Sequence, residues 1–465
     1  MNRTSIFGFL LLSGCMVGPH YHRPPLAVPA AYKAAPGWIK AQPADAAPKG
    51  QWWENFGDPI LDKLEAQVAI NNASLAADYY AYQQAVAISQ EASGGLFPTL
   101  SLTSGATRAR QSNALGTSGN LEGQASWNLD LWGKIRRQVE SDAAQAQVSA
   151  ADLANATLSA QAQLASDYVY LRSADANIEL LQKTVAAYQE SLQIAQNKYG
   201  AGTVSQSDIL TARTALDGAQ SNLVAEAAVR AQYEHAIAVL MGHAPADISI
   251  APGAQMQTIP IPPAELPSTL LQRRPDIAAA ERQMAAENAL IGVQEAAFYP
   301  DLSLSALGGF AANPITGLFK TSSALWSLGT TASDDIFTGG SRRQAVVAAK
   351  AAYMESVETY RQTVLTAFQQ VENDLTNSQI YAQQAVVQSR AVADAARAVQ
   401  IAINEYKAGT VDYTTVASAQ VTLLADQQTA LGVQQNRLLA SIALYQDLGG
   451  GFNPHSLSFT VSPSP

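Results

Sequence analysis

The chain has 465 residues, a formal net charge of −10, 48% hydrophobic and 7% aromatic residues, and one cysteine. The negative charge and the scatter of Lys and Arg argue against nucleic acid as a partner, and a single cysteine excludes an internal disulfide and a Cys-based metal site. Hydrophobic content rich in Ala and poor in aromatics suits thin, closely packed helices better than a thick globular core.

Arg3 precedes the apolar run Ile6-Phe7-Gly8-Phe9-Leu10-Leu11-Leu12, followed by Ser13-Gly14-Cys15. Residues 1–14 read as a short secretory signal ending in the Leu-Ser-Gly-Cys pattern of a bacterial lipoprotein. Cys15 is then the lipid attachment site, where two or three acyl chains anchor stably and one alone is marginal. The alternative is a lone buried thiol behind an ordinary signal. Met16 in place of Asp after the cysteine favours the outer membrane. Residues 15–50, rich in Pro and Ala, read as an extended segment running from the anchor along the body. His20 and His22 lie in it without a nearby acidic or Cys partner, so no metal is assigned. No stretch reaches about 18 consecutive apolar residues, so any membrane crossing has to be a barrel.

A first repeat spans 51–250. Asp58-Pro59 is an N-cap followed by Pro at the first helical position, and Leu61, Leu64, Val68 and Leu75 carry a helix to about Glu91, stopped at Gly94-Gly95. Phe97 to Thr103 alternates as a strand, Gln111 to Asn120 reads as a loop, and Leu121 to Leu131 returns as a second strand. In that strand Leu121, Gly123, Ala125, Trp127, Leu129 and Leu131 share one face, and Glu122, Gln124, Ser126, Asn128 and Asp130 the other. A membrane barrel strand has this pattern, as does a hairpin packed on helices. Ile135 to Tyr199 then contains no Gly or Pro, and some 65 residues of helix span roughly 100 Å. It ends at Gly200-Ala201-Gly202-Thr203-Val204, and a return helix runs from about Ser205 to Met241.

Residues 251–264 are a Pro-rich linker, and residues 265–449 repeat the order. Leu266 to Ala297 reads as a helix, Phe298 to Leu304 as a strand, Ala311 to Ser322 as a loop and Ala324 to Phe337 as a strand. A second rod, Ser341 to Ala408, ends at Gly409-Thr410-Val411, and its return helix ends near Asp447. Residues 450–465 are an irregular tail. The matching rod ends, Lys198-Tyr199-Gly200-Ala201-Gly202-Thr203-Val204 and Glu405-Tyr406-Lys407-Ala408-Gly409-Thr410-Val411, give a tandem repeat with a period of about 207 residues. Four strands cannot close a barrel around a lumen, because small barrels need about eight; either there is no barrel, or several chains build one.

The chain resembles the TolC-type outer-membrane efflux proteins, specifically the lipoprotein branch that serves resistance–nodulation–division (RND) pumps. The resemblance covers nearly the whole mature chain. It rests on Cys15-Met16-Val17-Gly18-Pro19-His20-Tyr21-His22-Arg23-Pro24, Trp52-Trp53 with Phe56 and Asp58-Pro59, Arg273-Arg274-Pro275-Asp276-Ile277 with Ala280-Glu281, Ile291-Gly292-Val293 through Tyr299-Pro300, and both Ala-Gly-Thr turns. It implies a mainly α fold with membrane β, in which long helical hairpins form a periplasmic α-barrel. Four strands per chain would contribute to a trimeric, 12-stranded outer-membrane β-barrel. It further implies a passive exit duct without cofactor, working with a periplasmic membrane-fusion adaptor and an inner-membrane RND-type pump. In such a family the periplasmic tip closes like an iris. By position the gate candidates are Asp208, Tyr406, Lys407, Thr414 and Ser418, with Tyr406 and Lys407 matching a Tyr beside a basic residue that ties helices together. Thr414 and Ser418 stand where an apolar residue and an Asp are common. The adaptor-contact turns are Gly202, Thr203, Val204 and Gly409, Thr410, Val411. Asp208 also reads as a helix N-terminal charge stabilised by the dipole, and both glycines as turn residues at positive φ. The competing readings are a type I protein-secretion duct and a lipid-anchored periplasmic coiled-coil scaffold. The sequence has no His-Glu-x-x-His and no phosphate-cradling Gly motif, so no enzyme is assigned.

Overall fold

The computed structural model describes residues 16–25, 32–33, 51–111, 114–260 and 273–450; Cys15, the signal and the tail from 451 lie outside them. Helix α1 (Pro59–Asn71) starts at the Asp58 cap, whose carboxylate accepts from the amides of Ile60 and Leu61. The single helix read to Glu91 is two helices. Asn72 leaves the helix with ψ 117 and caps α2 (Ala73–Gly94) by accepting from Ser74 and Leu75. Strands β1 (Thr99–Gln111) and β2 (Ala114–Leu129) follow, then the rod α3 (Lys134–Gly200) and the return helix α4 (Gln206–Leu240). The second repeat gives α5 (Pro275–Ala296), β3 (Asp301–Ala312), β4 (Ala324–Ser333), the rod α6 (Ser341–Ala408) and α7 (Tyr413–Asp447).

The rods have 67 and 68 residues. Each begins behind a left-handed glycine, Gly133 at φ 82 and Gly340 at φ 86, the conformation glycine takes without a Cβ penalty. Strands β1, β2 and β3 are longer than the sequence suggests, whereas β4, expected to reach Phe337, stops at Ser333. The stretch read as a loop from Gln111 to Asn120 is mostly hairpin, with Gly105 paired to Asn120 and Gln111 to Ala114. The Leu266–Ala297 helix is interrupted at Arg274, which is extended at ψ 124 because a residue before proline is disfavoured in the α region; residues 266–272 lie outside the description.

Rod α3 is central, packing on α1, α2, α4, α5 and α7, while α6 packs on α5 and α7. Small residues in the rods let helices approach closely, and the largest group of aromatics gathers at the packing centre. There Trp52, Trp53 and Phe56 join Leu61, Val68, Leu164, Tyr168 and Ile237, with Trp52 stacked on Tyr445 at 5.6 Å between centroids. Two buried polar knots fix the frame. Arg172 donates to Tyr168 Oη, Asp175 and the Ala251 carbonyl at 2.8–2.9 Å, and Arg230 donates to the other Asp175 oxygen at 2.6 Å, so the start of the linker is clamped to α3 and α4. The N-terminal segment is held by Arg137, which is fully buried and donates to the carbonyls of Val17 (3.0 Å) and Gly18 (3.1 Å). Arg23 donates to Tyr360 Oη at 2.6 Å. Gly18, at φ 95, lies so close to α5 that a Cβ would stand 2.4 Å from Gly292 Cα.

Candidate functional site

Two features at opposite ends of the rods define what the molecule can do. The first is the sheet, with strand order β1-β2-β3-β4, antiparallel throughout. Its register puts like residues in rows: Leu102 beside Gly123, Gly308 and Trp326, and Leu100 beside Ala125, Ala306 and Leu328. One face therefore carries Leu100, Leu102, Trp127, Leu304, Trp326 and Leu328, between 38% and 83% exposed. The other face carries Thr99, Ser101, Gln124, Ser305 and Ser327 in the alternate positions. An exposed apolar face this continuous belongs in lipid, and from Leu302 to Phe310 it runs about 26 Å along the strand, the height of a barrel's lipid-facing band. At the helical end Trp127 Nε1 donates to the Leu96 carbonyl, and Trp132 Nε1 to that of Pro300, both at 2.9 Å. Trp132 stacks on Tyr299 at 4.8 Å, which suits an interfacial aromatic girdle. No helix among the described residues is long and apolar enough to cross a membrane.

The second feature is the tip, where both rods turn back. The duplicated Gly-Thr-Val has a local explanation. Gly202 (φ 73) and Gly409 (φ 79) take the left-handed turn. The amides of Thr203 and Thr410 then bond the carbonyls of Lys198 and Glu405 at 3.0 Å, the six-to-one bond of a Schellman cap. Each threonine hydroxyl donates to the same carbonyl, at 2.9 and 3.0 Å. Val204 and Val411 turn inward onto a small cluster of Ala195, Ala212, Ala402, Tyr406, Tyr413 and Val416.

Tyr406, only 3% exposed, ties this cluster together. Its hydroxyl donates to Asp208 Oδ2 at 3.2 Å, linking α6 to the first turn of α4, and its ring meets Tyr413 edge-on at 5.4 Å. Burial, then the Asp208 carboxylate, pushes the phenol well above its ordinary pKa, so it remains a neutral donor. The basic residue beside Tyr406 is Lys198, not Lys407. Lys198 Nζ donates to the Tyr406 carbonyl and stands 4.5 Å from its ring centroid, a cation–π distance, at the negative end of α6. Lys407, the next residue along the helix, points to solvent. Thr414 and Ser418 are also exposed; the Ser418 backbone carbonyl accepts from Thr422 Oγ1 at 3.0 Å, and neither side chain joins the Tyr406 cluster. The sequence brings Asp208 and Tyr406 together only through the fold, and Lys198 is invisible as their partner because it lies 208 positions from the carbonyl it holds.

Buried acids lie away from both ends. Glu65 on α1 is 1% exposed, neither of its oxygens has a hydrogen-bond partner, and burial pushes its carboxyl up to about 9. Asp374 is pushed up to about 8 by burial and then by the neighbouring Asp447, which accepts from Arg274 at 3.2 Å. Among the described residues no group of three or more His, Cys, Asp or Glu could hold a metal ion.

The sequence matches the family described as outer membrane efflux protein over residues 64–243 and 266–450. It is 30% identical over 469 residues to the solvent efflux pump outer membrane protein SrpC of Pseudomonas putida, covering 96% of this chain and 98% of that protein. It is also 30% identical over 475 residues to the pyoverdine export outer membrane protein OpmQ of Pseudomonas aeruginosa, covering 97% of each. Among solved structures, the outer-membrane channel OprN superposes with a TM-score of 0.87 at 28% identity, over 94% of this chain and 99% of that one. A lipid-facing sheet, rods that reach far from it and these relatives lead to one conclusion: the chain belongs to the outer membrane efflux protein family and is an outer-membrane channel, the exit duct of an efflux system, that extends into the periplasm.

Proposed function

We propose that three copies of the chain close one duct, anchored by lipid on Cys15, that passively conducts drugs or other small solutes outward. A periplasmic membrane-fusion adaptor and an inner-membrane RND-type pump would complete the machine and supply its energy. The observation that carries this reading is the four-stranded, two-faced sheet, whose β1 and β4 edges are unpaired in one chain. In hydrocarbon each unpaired backbone group costs several kcal/mol, so these edges require strands from further copies. Three copies supply twelve strands, enough to enclose a lumen. The polar sheet face then lines the bore, and the six rod-and-return hairpins form the periplasmic tube.

The tip is the proposed gate. The contacts of Tyr406 with Asp208 and Lys198 hold α6 against α4 and α3, and the turns at Gly202–Val204 and Gly409–Val411 are the surfaces offered to the adaptor. A hydrogen bond to a charged group contributes about 1.5–3 kcal/mol, less where water reaches it, as at this half-exposed Asp208. Three copies of such a latch hold the tip shut yet yield to a protein partner. The test is single-channel conductance in planar bilayers. Asp208→Ala with Tyr406→Phe is expected to raise conductance, and Lys198→Met to do so alone. Unchanged conductance in fully assembled variants counts against the gate.

A further inference from the structure

The sheet face opposite Leu100 and Trp326 carries hydroxyls and amides, a few small residues, and Leu307 and Leu325, but almost no charge. Four residues of the described strands are ionisable: Arg108, Arg110, Glu122 and Asp301. Arg108 and Arg110 pair with Thr117 and Leu115, on the register of the apolar face and beyond its belt, at the end away from the helices. Asp301 opens β3 at the helical end, 4.0 Å from Lys134. Glu122 alone is charged within the polar wall. Its row reads Thr103, Glu122, Gly309, Leu325, so neither neighbour brings a cation. Gly309 lies so close that a Cβ there would stand 2.7 Å from Glu122 Cα, leaving that flank of the carboxylate without a side chain. Among the described residues, no ion pair or side-chain hydrogen bond holds Glu122.

We propose that Glu122 is a specificity-determining residue of the duct, setting a preference for cationic over anionic solutes inside the barrel. The inference rests on the three-copy reading, in which three carboxylates stand at one level of an otherwise neutral wall. Rings of acidic side chains select cations in this way. The carboxylates are wet and unpaired, so their field reaches across the bore at low salt and collapses at high salt, the Debye length falling from about 10 Å at 0.1 M to about 3 Å at 1 M.

The experiment is the reversal potential of the purified full-length protein in planar bilayers under a KCl gradient. Glu122→Gln and Glu122→Lys are compared with Glu122 in a shared Asp208→Asn/Tyr406→Phe background, which removes the charge and restraint of the tip. At 0.1 M salt the potassium-to-chloride permeability ratio is expected to fall at least about twofold in Glu122→Gln and to invert in Glu122→Lys, with much smaller differences at 1 M. An unchanged ratio in conducting variants overturns the proposal. Glu122→Cys, treated on intact cells with a membrane-impermeant cationic thiol reagent, is expected to be labelled from outside. Assembled protein that resists labelling overturns the luminal placement independently of the tip. Parent protein that forms no channel would instead sink the duct reading, a result distinct from an unchanged ratio.

Discussion

Glu65 offers a quantitative test of how the packing centre is built. It sits on the stripe of α1 that includes Leu61, Leu64 and Val68, all 9% exposed or less, and its carboxyl rises from 4.5 to about 9 by burial alone. The folded chain therefore keeps a proton that the unfolded chain releases. Its contribution to stability is complete below about pH 4.5 and is lost as pH climbs towards 9. At pH 7, about 2.5 pH units above the unfolded value, the loss is about 3 kcal/mol, equivalent to about 3 °C in melting temperature for a chain of this size. Glu65→Gln does not titrate, so its melting temperature relative to wild type should climb by about that amount between pH 4.5 and pH 7. The amide brings its own desolvation cost, which offsets both ends equally and leaves the pH dependence as the readout. The assay is differential scanning fluorimetry of both proteins in the same detergent across that range. A constant difference between the two curves would refute a buried, protonated Glu65.

Further consequences follow from the sheet and the N-terminal segment. Leu328→Arg on the lipid face should cost about 2–4 kcal/mol near the membrane midplane and reduce the heat-resistant oligomer on gels, whereas Ser327→Arg on the polar face should leave it intact. Gly18→Val adds bulk where a Cβ already meets the α5 backbone at 2.4 Å; it should detach the segment from Arg137 and speed hydrogen exchange at the Val17 amide, which is bonded to the Trp132 carbonyl at 3.1 Å. Asp374→Asn should flatten the decline in stability between about pH 4 and pH 8, because Asp374, raised to about 8, holds its proton in the folded chain and releases it unfolded.

The rods and the repeat are legible in the sequence because both rest on local facts: two Gly- and Pro-free stretches, and a seven-residue turn pattern that occurs twice. The strands are half legible. Leu121 to Leu129 alternates visibly, but the stretch from Ser104 to Asn120 is mostly Ser, Thr, Gly, Ala and Asn with two arginines and one leucine, and the strand character of residues 104–111 and 114–120 comes from pairing rather than from their own hydrophobicity. The break at Asn72 is a capping choice inside an unbroken apolar pattern, so periodicity passes over it. At the tip, Tyr406 and Asp208 stand out as residues but their contact does not, and the neighbour in sequence, Lys407, displaces the neighbour in space, Lys198. Glu65 carries a readable signal, since a carboxylate four residues after Leu61 and next to Leu64 falls on the buried stripe.

The central claim, a duct closed by several copies through the β1 and β4 edges, is tested most directly by electron microscopy of the detergent-extracted protein. The account predicts a threefold tube roughly 130 Å long, with about 100 Å of helix and about 30 Å of barrel. A monomeric or dimeric rod without a barrel end would contradict it.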